Sequence, residues 1–176
     1  MAGPRGRLPS RPPFTGCTVS GFEPSLVTRL GDRPRTSTEV PHRQLSQRAT
    51  PRLWNDLAEA VFALPGVIEG PSSVGVPSSR AVFLEELLEP LSAETSLAPV
   101  TKRLEPVHLH GVEDTSLHLC LPDERAHEVC TFGWGEPHRY AARPTDIMVY
   151  GPRDAEELAV VLGLVCESLA FARETA

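Results

Sequence analysis

The runs Glu105-Pro106-Val107-His108-Leu109-His110 and Thr115-Ser116-Leu117-His118-Leu119-Cys120 decide the fold. Read with a period of two, Val107 and Leu109 share one face, and Pro106, His108 and His110 share the other. The second run repeats the pattern, with Leu117 and Leu119 against Ser116, His118 and Cys120. Gly111-Val112-Glu113-Asp114 lies between, and Gly and Asp permit a tight reversal there. Slipping an antiparallel partner by one residue sends its side chains to the opposite face. Pairing His108 with His118 keeps both the leucines and the histidines together, with Leu109 facing Leu117, Val107 facing Leu119 and His110 facing Ser116. Three of the six histidines then cluster on one side of a two-stranded ribbon, with directly opposed Cβ atoms roughly 4.5–5.5 Å apart.

Outward from this hairpin, Thr50-Pro51 reads as a helix N-cap followed by proline at the first helical position. Leu53, Trp54, Leu57, Val61 and Leu64 recur at helical spacing, and Pro65-Gly66 ends the helix. Residues 66–69, 73–76 and 80–84 read as short strands. Residues 85–103 carry Pro90 and Pro99 and read as a loop with a helical turn. Pro122-Asp123-Glu124 opens a short helix with Ala126, Val129 and Cys130 inside, His127 outside and Gly133 as its C′ residue. Residues 134–142 read as a connecting loop and Asp146 to Tyr150 as the last strand. Asp154-Ala155-Glu156-Glu157 is a capping box, after which Leu158, Val161, Leu162, Val165 and Leu169 form an apolar stripe. The expected class is α+β: an antiparallel sheet with a histidine-bearing hairpin and helices packed on one face. The leucine face of the hairpin meets the helices, so the histidine face looks toward solvent or a pocket roofed by loops 85–103 and 134–144.

At 176 residues the chain has room for one domain with a core of its own. Residues 1–50 hold eight arginines against three acids, about +5, while the remainder is acidic, about −11. Rich in Pro, Arg, Ser and Thr, residues 1–49 are expected to be a disordered tail ahead of a domain spanning 50–176. His42 and Cys17 receive no role there, and an arginine-rich transit peptide is the other reading of the same composition. An acidic body with one lysine, Lys102, argues against a nucleic-acid groove, which needs clustered cations. No apolar run approaches membrane-spanning length. The four cysteines form no CxxC, so free thiols, a reducing compartment and a cytoplasmic location are expected.

Four motifs in order, Glu105 to His110, Thr115 to Leu119, Gly133-Trp134-Gly135-Glu136-Pro137-His138, and Val149-Tyr150-Gly151-Pro152-Arg153-Asp154 before a helix, resemble the luciferase domain. That domain occurs in bioluminescent fungi and in many bacterial proteins of unknown function. The resemblance covers about residues 51 to 173 and is strongest from 105 to 172. The fungal members oxidise a hydroxylated pyrone with O₂ and carry a membrane-anchoring segment ahead of the domain; no comparable apolar run occurs here. The resemblance implies oxidation of a small enolic or phenolic substrate, with His108, His110 and His118 as base and orienting groups. His138 and Tyr150 are then substrate contacts or lie just behind them, Arg153 holds an anionic oxygen, and Trp134 stacks on the substrate. Light emission is not the expected role, because the family extends far beyond bioluminescence.

The residues themselves leave three chemistries open. Neutral imidazoles are bases near neutrality, and crowding lowers each pKa by disfavouring the charged form. The same three rings form a facial set for a divalent metal such as Zn or Fe, with Glu113 or Asp114 able to join, which suits a hydrolase or isomerase. A non-catalytic pocket for a small molecule, lined by the same rings, is the third. Structural readings stand beside these: solvated histidines, Trp134 as a packed anchor, Tyr150 as core, and Arg153 paired with Asp154 or Glu157.

Overall fold

The computed structural model describes residues 26–86, 90–100, 103–141 and 143–175. Helix α1 (Pro51–Phe62) begins where Thr50 Oγ1 accepts the Leu53 amide and Pro51 occupies the first turn. Strands β1 (Val67–Pro71) and β2 (Arg80–Leu84) follow, then a 3₁₀ turn at Ala93–Thr95. β3 (Val107–Leu109) and β4 (Leu117–Cys120) form the histidine hairpin. Helix α2 (Asp123–Thr131), β5 (Gly135–Pro137), β6 (Asp146–Val149) and helix α3 (Ala155–Glu174) complete the chain. The sheet has six strands in the order β1-β2-β3-β4-β6-β5, with every neighbouring pair antiparallel. This is the expected α+β architecture.

The hairpin has the expected register, with His108 opposite His118, Val107 opposite Leu119 and Leu109 opposite Leu117. The Asp114 and Thr115 amides both bond the Gly111 carbonyl, and Thr115 sits at φ +60° to close the turn. Continued across the sheet, the alternation sorts every strand into two faces. Val82, Val107, Leu109, Leu117, Leu119, Ile147 and Val149 join Leu57 and Val61 of α1 and Leu158, Val161, Val165 and Leu169 of α3 in one core. On the other face one row runs Gly70, Ala81, His108, His118, Met148 and Glu136, each directly opposite the next. Gly133 at φ +83° ends α2, and a Cβ at Gly151 would run into the Thr115 carbonyl oxygen, which only glycine avoids.

Four expectations are corrected. Residues 73–76 form no strand; Ser72 and Ser73 turn the chain, and the β1–β2 connection runs to Ser79. Within 134–142, Gly135–Pro137 is an edge strand, too short and too rich in Gly and Pro to show a period. Cys166 is disulfide-bonded where a free thiol was expected, while Cys120 and Cys130 are free thiols. The fourth concerns the expected tail. Residues 1–25 lie outside the described residues, but 26–49 are packed against the domain. Arg29 is buried with its guanidinium on both Glu157 carboxylate oxygens and the Gly151 carbonyl. Arg33 bonds the Cys130 carbonyl, Val27 accepts the Trp134 indole N–H, and the Gln44 side chain accepts the Gly151 amide. Composition gauged apolar burial, whereas this segment is held by ion pairs and hydrogen bonds to an acidic body. Among the described residues no helix is long and apolar enough to cross a membrane.

Candidate functional site

His108 and His118, opposed on β3 and β4, and His110, one step beyond β3, converge with ring centroids 4.7–5.3 Å apart. All three are buried. Each of two rings is held from behind by a carboxylate. Glu105 lies 2.9 Å from His108 Nδ1 and also accepts from Ser72 Oγ, Ser73 Oγ and the Ser73 amide. Asp114 lies 2.5 Å from His110 Nδ1 and accepts from Ser116 Oγ and the Ser116 and Gln44 amides. A carboxylate accepting at Nδ1 fixes the tautomer, so the Nε2 lone pair of each ring is free to face inward. The His108 and His118 Nε2 atoms are buried with no hydrogen-bond partner.

Two more histidines complete the cluster. His138, just beyond β5, stands edge-on to His118 with centroids 4.4 Å apart. Its Nδ1 accepts the Tyr140 amide, which leaves Nε2–H as a donor. His42 arrives from the N-terminal segment, 5.7 Å from His118 and 5.5 Å from His138 between centroids. Glu136, at 2.6 Å from His42 Nε2, holds it as Glu105 and Asp114 hold the other two, and also accepts from Thr36 Oγ1 and the Tyr150 hydroxyl.

Burial lowers the pKa of His108, and His110 adds to this, although Glu105 pulls the other way. His118 is pushed well below the usual histidine value by burial and by four neighbouring imidazoles. His138 is lowered to about 4, again first by burial. Burial alone would raise Glu105, Asp114 and Glu136, but their hydrogen bonds outweigh it and hold all three low. On this face His108, His118 and His138 are therefore held toward the neutral form, and Glu105, Asp114 and Glu136 toward the anionic one.

That wall closes one side of a cavity of about 510 Å³. Val40 and Pro41, Val74 to Val76, Ala93 and Leu97 to Val100 form apolar sides, and His138, Tyr140 and Arg143 also line it. An imidazole wall opposite apolar sides suits a small ligand with an apolar body and one polar edge. The expected roofs, 85–103 and 134–144, both contribute; the strip at Val40–His42 and the 74–76 loop were not foreseen. Buried Asp146 at the edge pairs with Arg143 at 3.1 Å and accepts from Cys120 Sγ.

Among the residues singled out from sequence, His108, His110, His118 and His138 come together here. Tyr150 and Trp134 do not line the cavity: Tyr150 is fully buried with its hydroxyl on Glu136, and Trp134 packs in the core beneath Arg29. Arg153 sits away from the cavity on Glu157 and the Leu30 carbonyl. Of the two carboxylates considered beside the histidines, Asp114 is in place and Glu113 is not among the hydrogen-bonding partners of any ring. Sequence reasoning missed His42, Glu105 and Glu136. The signal for His42 was electrostatic: a basic segment beside an acidic body has a reason to dock.

Residues 103–168 match the family model described as the luciferase domain. This span contains the hairpin, β5 and β6 and most of α3, and leaves His42 outside. The chain is 31% identical to a luciferase of Armillaria gallica and 32% identical to one of Armillaria mellea, over 84% of this chain and 61% of each relative. A luciferase of Neonothopanus nambi is 27% identical over 86% of this chain and 58% of that protein. The chain thus spans about three fifths of the length of these curated relatives. No solved structure matches it. The hairpin, its three histidines and most of the capped helix that follows lie inside the matched span, so over residues 103–168 this chain is similar to the luciferase domain.

Proposed function

We propose that this domain oxidises a small enolic or phenolic molecule, pyrone-like in character, with O₂ as the oxidant. The observation that carries the reading is the half-apolar cavity whose polar wall is five imidazoles, three of them backed by carboxylates. A planar conjugated body fits the apolar sides, and its hydroxyl edge meets the rings. Ionising that hydroxyl is the chemical requirement. An enolate or phenolate is electron-rich enough to pass one electron to O₂, and the resulting radical pair combines into a peroxide anion. An imidazole of the cluster holds the O–H proton meanwhile and returns it. Substrate and O₂ thus give a hydroperoxide with no external reductant. Removing water from around the anion strengthens its interactions with the wall, and His138, which lines the cavity with its Nδ1 taken by the Tyr140 amide, is the proposed donor to it through Nε2–H. Similarity to proteins named luciferase supports the choice of O₂ chemistry.

A second reading, metal-assisted hydrolysis or isomerisation in the same cavity, is favoured by the convergence of imidazole nitrogens. An oxygen electrode separates the two. With a panel of enolic pyrones and phenols, uptake of O₂ that requires the intact histidines supports oxidation. Uptake left unchanged when His108, His110 and His118 are all replaced by Ala refutes it. Turnover without O₂ favours the second reading.

A further inference from the structure

Glu105 and Asp114 bring two carboxylates into the buried wall, each behind one imidazole of the cluster. Each accepts four hydrogen bonds, from serine hydroxyls, backbone amides and one imidazole Nδ1. Among the described residues no Arg or Lys side chain bonds either one. Each carboxylate grips one ring at Nδ1, which leaves the opposite Nε2 for the cluster, and the Nε2 of His108 and of His118 has no partner. One nitrogen from each of His108, His110 and His118 lies within 4.8 Å of the others. Carboxylate behind imidazole, with the opposite nitrogen bare, is how proteins orient histidine toward a metal.

We propose that His108, His110 and His118 bind one divalent transition-metal ion through Nε2, with Glu105 and Asp114 as its buried counter-charges. Three neutral nitrogens favour Zn, Fe, Co, Ni or Cu over Mg and Ca, which take oxygen ligands. The ion's two charges offset the two carboxylates and leave coordination positions open to the cavity. His42, His118 and His138 form a second convergent set, but it has fewer bare lone pairs. His42 is bonded at both nitrogens, to Glu136 and the Arg139 amide, and His138 Nδ1 takes the Tyr140 amide. The inference concerns the same cavity as the proposed oxidation; use of an open position by an enolate oxygen rests on that reading, while the ion itself does not.

The test is a Co(II) titration of untagged, chelator-stripped protein. The expected result is one Co(II) per chain with visible ligand-field absorption, displaced by Zn(II), and a rise in Tm because the ion binds the folded state. His108→Ala and His118→Ala abolish the bands, and Glu105→Gln and Asp114→Asn weaken binding about 10–100-fold, with circular dichroism reporting the fold of each. No uptake by folded wild-type protein overturns the site, as does uptake unchanged in the His108→Ala/His118→Ala protein. Oxygen uptake measured in parallel keeps the two ideas apart. Stoichiometric Co(II) with no O₂ consumption upholds the ion and refutes the oxidation; O₂ consumption by protein that takes up no Co(II) does the reverse.

Discussion

The two faces of β3 and β4 differ by one residue of register and by nearly everything else. Leu117 and Leu119 look toward α1 and α3 and are covered entirely by hydrocarbon. His118, between them, looks the other way and is equally buried, but its cover is other imidazoles, loops and an arriving N-terminal segment. Burial is thus no guide to role here. The helix face gains free energy from every atom it hides, about 25 cal/mol per Å² of apolar surface. On the histidine face, polar groups are hidden at a cost, offset in part by three carboxylates, and two Nε2 atoms are left unpartnered. A fold that accepts such a cost on one face of its sheet makes that face its candidate functional site.

The sharpest way to break this comparison is to substitute one residue from each face. His108→Ala is expected to lower the proposed O₂ uptake by about 100-fold or more. Leu119→Ala is expected to cost about 2–5 kcal/mol of stability through the cavity it leaves in the core. Oxygen uptake per folded molecule and urea titrations, run on both variants, check the pair. If Leu119→Ala at low temperature loses as much activity per folded molecule as His108→Ala, the division of labour between the faces is wrong.

Next in size is the contact that fastens the N-terminal segment. The Arg29–Glu157 pair is buried on both sides, and Arg29→Ala leaves Glu157 under cover with Arg153 as its remaining partner, a loss of about 2 kcal/mol in thermal or denaturant melts. Burial raises the Glu157 carboxyl, but Arg29 and Arg153 outweigh it and bring it to about 2. A carboxyl with a depressed folded pKa stabilises above its unfolded value, 4.5. That contribution is lost as pH falls from about 4.5 toward 2. Stability of the wild type should therefore drop through this window, and Glu157→Gln should flatten the drop. A slope unchanged in Glu157→Gln removes the pair from the account. His42 rides on the same segment, so Arg29→Ala also tests whether the fifth imidazole matters to the site.

How much of this was legible in the sequence divides along the same line. The period of two in Val107 to His110 and Leu117 to Cys120 contained the strands, their register and the histidine cluster, because a slip would have exposed leucines. The caps at Thr50 and Asp154 stood where their side chains bond the first-turn amides. Local chemistry of this kind lies within a few residues and can be read. Glu136 and His42, 94 positions apart in the chain and 2.6 Å apart in space, obey no such local rule. Neither does Arg29 finding Glu157. Arg153 was given both a ligand-holding and an ion-pairing reading, and the structure places it in the pair.

A smaller effect sharpens the electrostatics of the histidine face. His138 is lowered to about 4 from 6.5 by burial first and by its neighbouring imidazoles, with Asp146 opposing. A histidine with a depressed folded pKa takes up its proton in the unfolded chain first. Stability is then greatest above pH 6.5, falls between 6.5 and about 4, and levels below, where both states are protonated. His138 is partly exposed, so solvent screening holds its share to about 1–2 kcal/mol. Tm measured from pH 7 to pH 4 should decline less steeply in His138→Gln than in the wild type. An equal or steeper decline would mean that the ring is not held neutral by its surroundings.

The smallest expected effect lies on the rim of the helix face, where Glu69 and Arg80 make an ion pair with two bonds of 2.6 and 2.9 Å. By geometry it is as good as the pair at Arg29. Both side chains, however, are nearly half exposed, so water competes for each charge and salt screens what remains. Arg80 also lies over the Phe62 ring at 4.4 Å, a contact that outlasts loss of the carboxylate. Glu69→Gln should therefore cost no more than about 1 kcal/mol, less still at high salt, and leave O₂ uptake untouched. Urea titrations at low and high ionic strength decide it. A cost near that of Arg29→Ala would show that geometry rather than desolvation sets the worth of an ion pair in this fold. The argument that the cost of burying polar groups singles out the histidine face would then lose its footing.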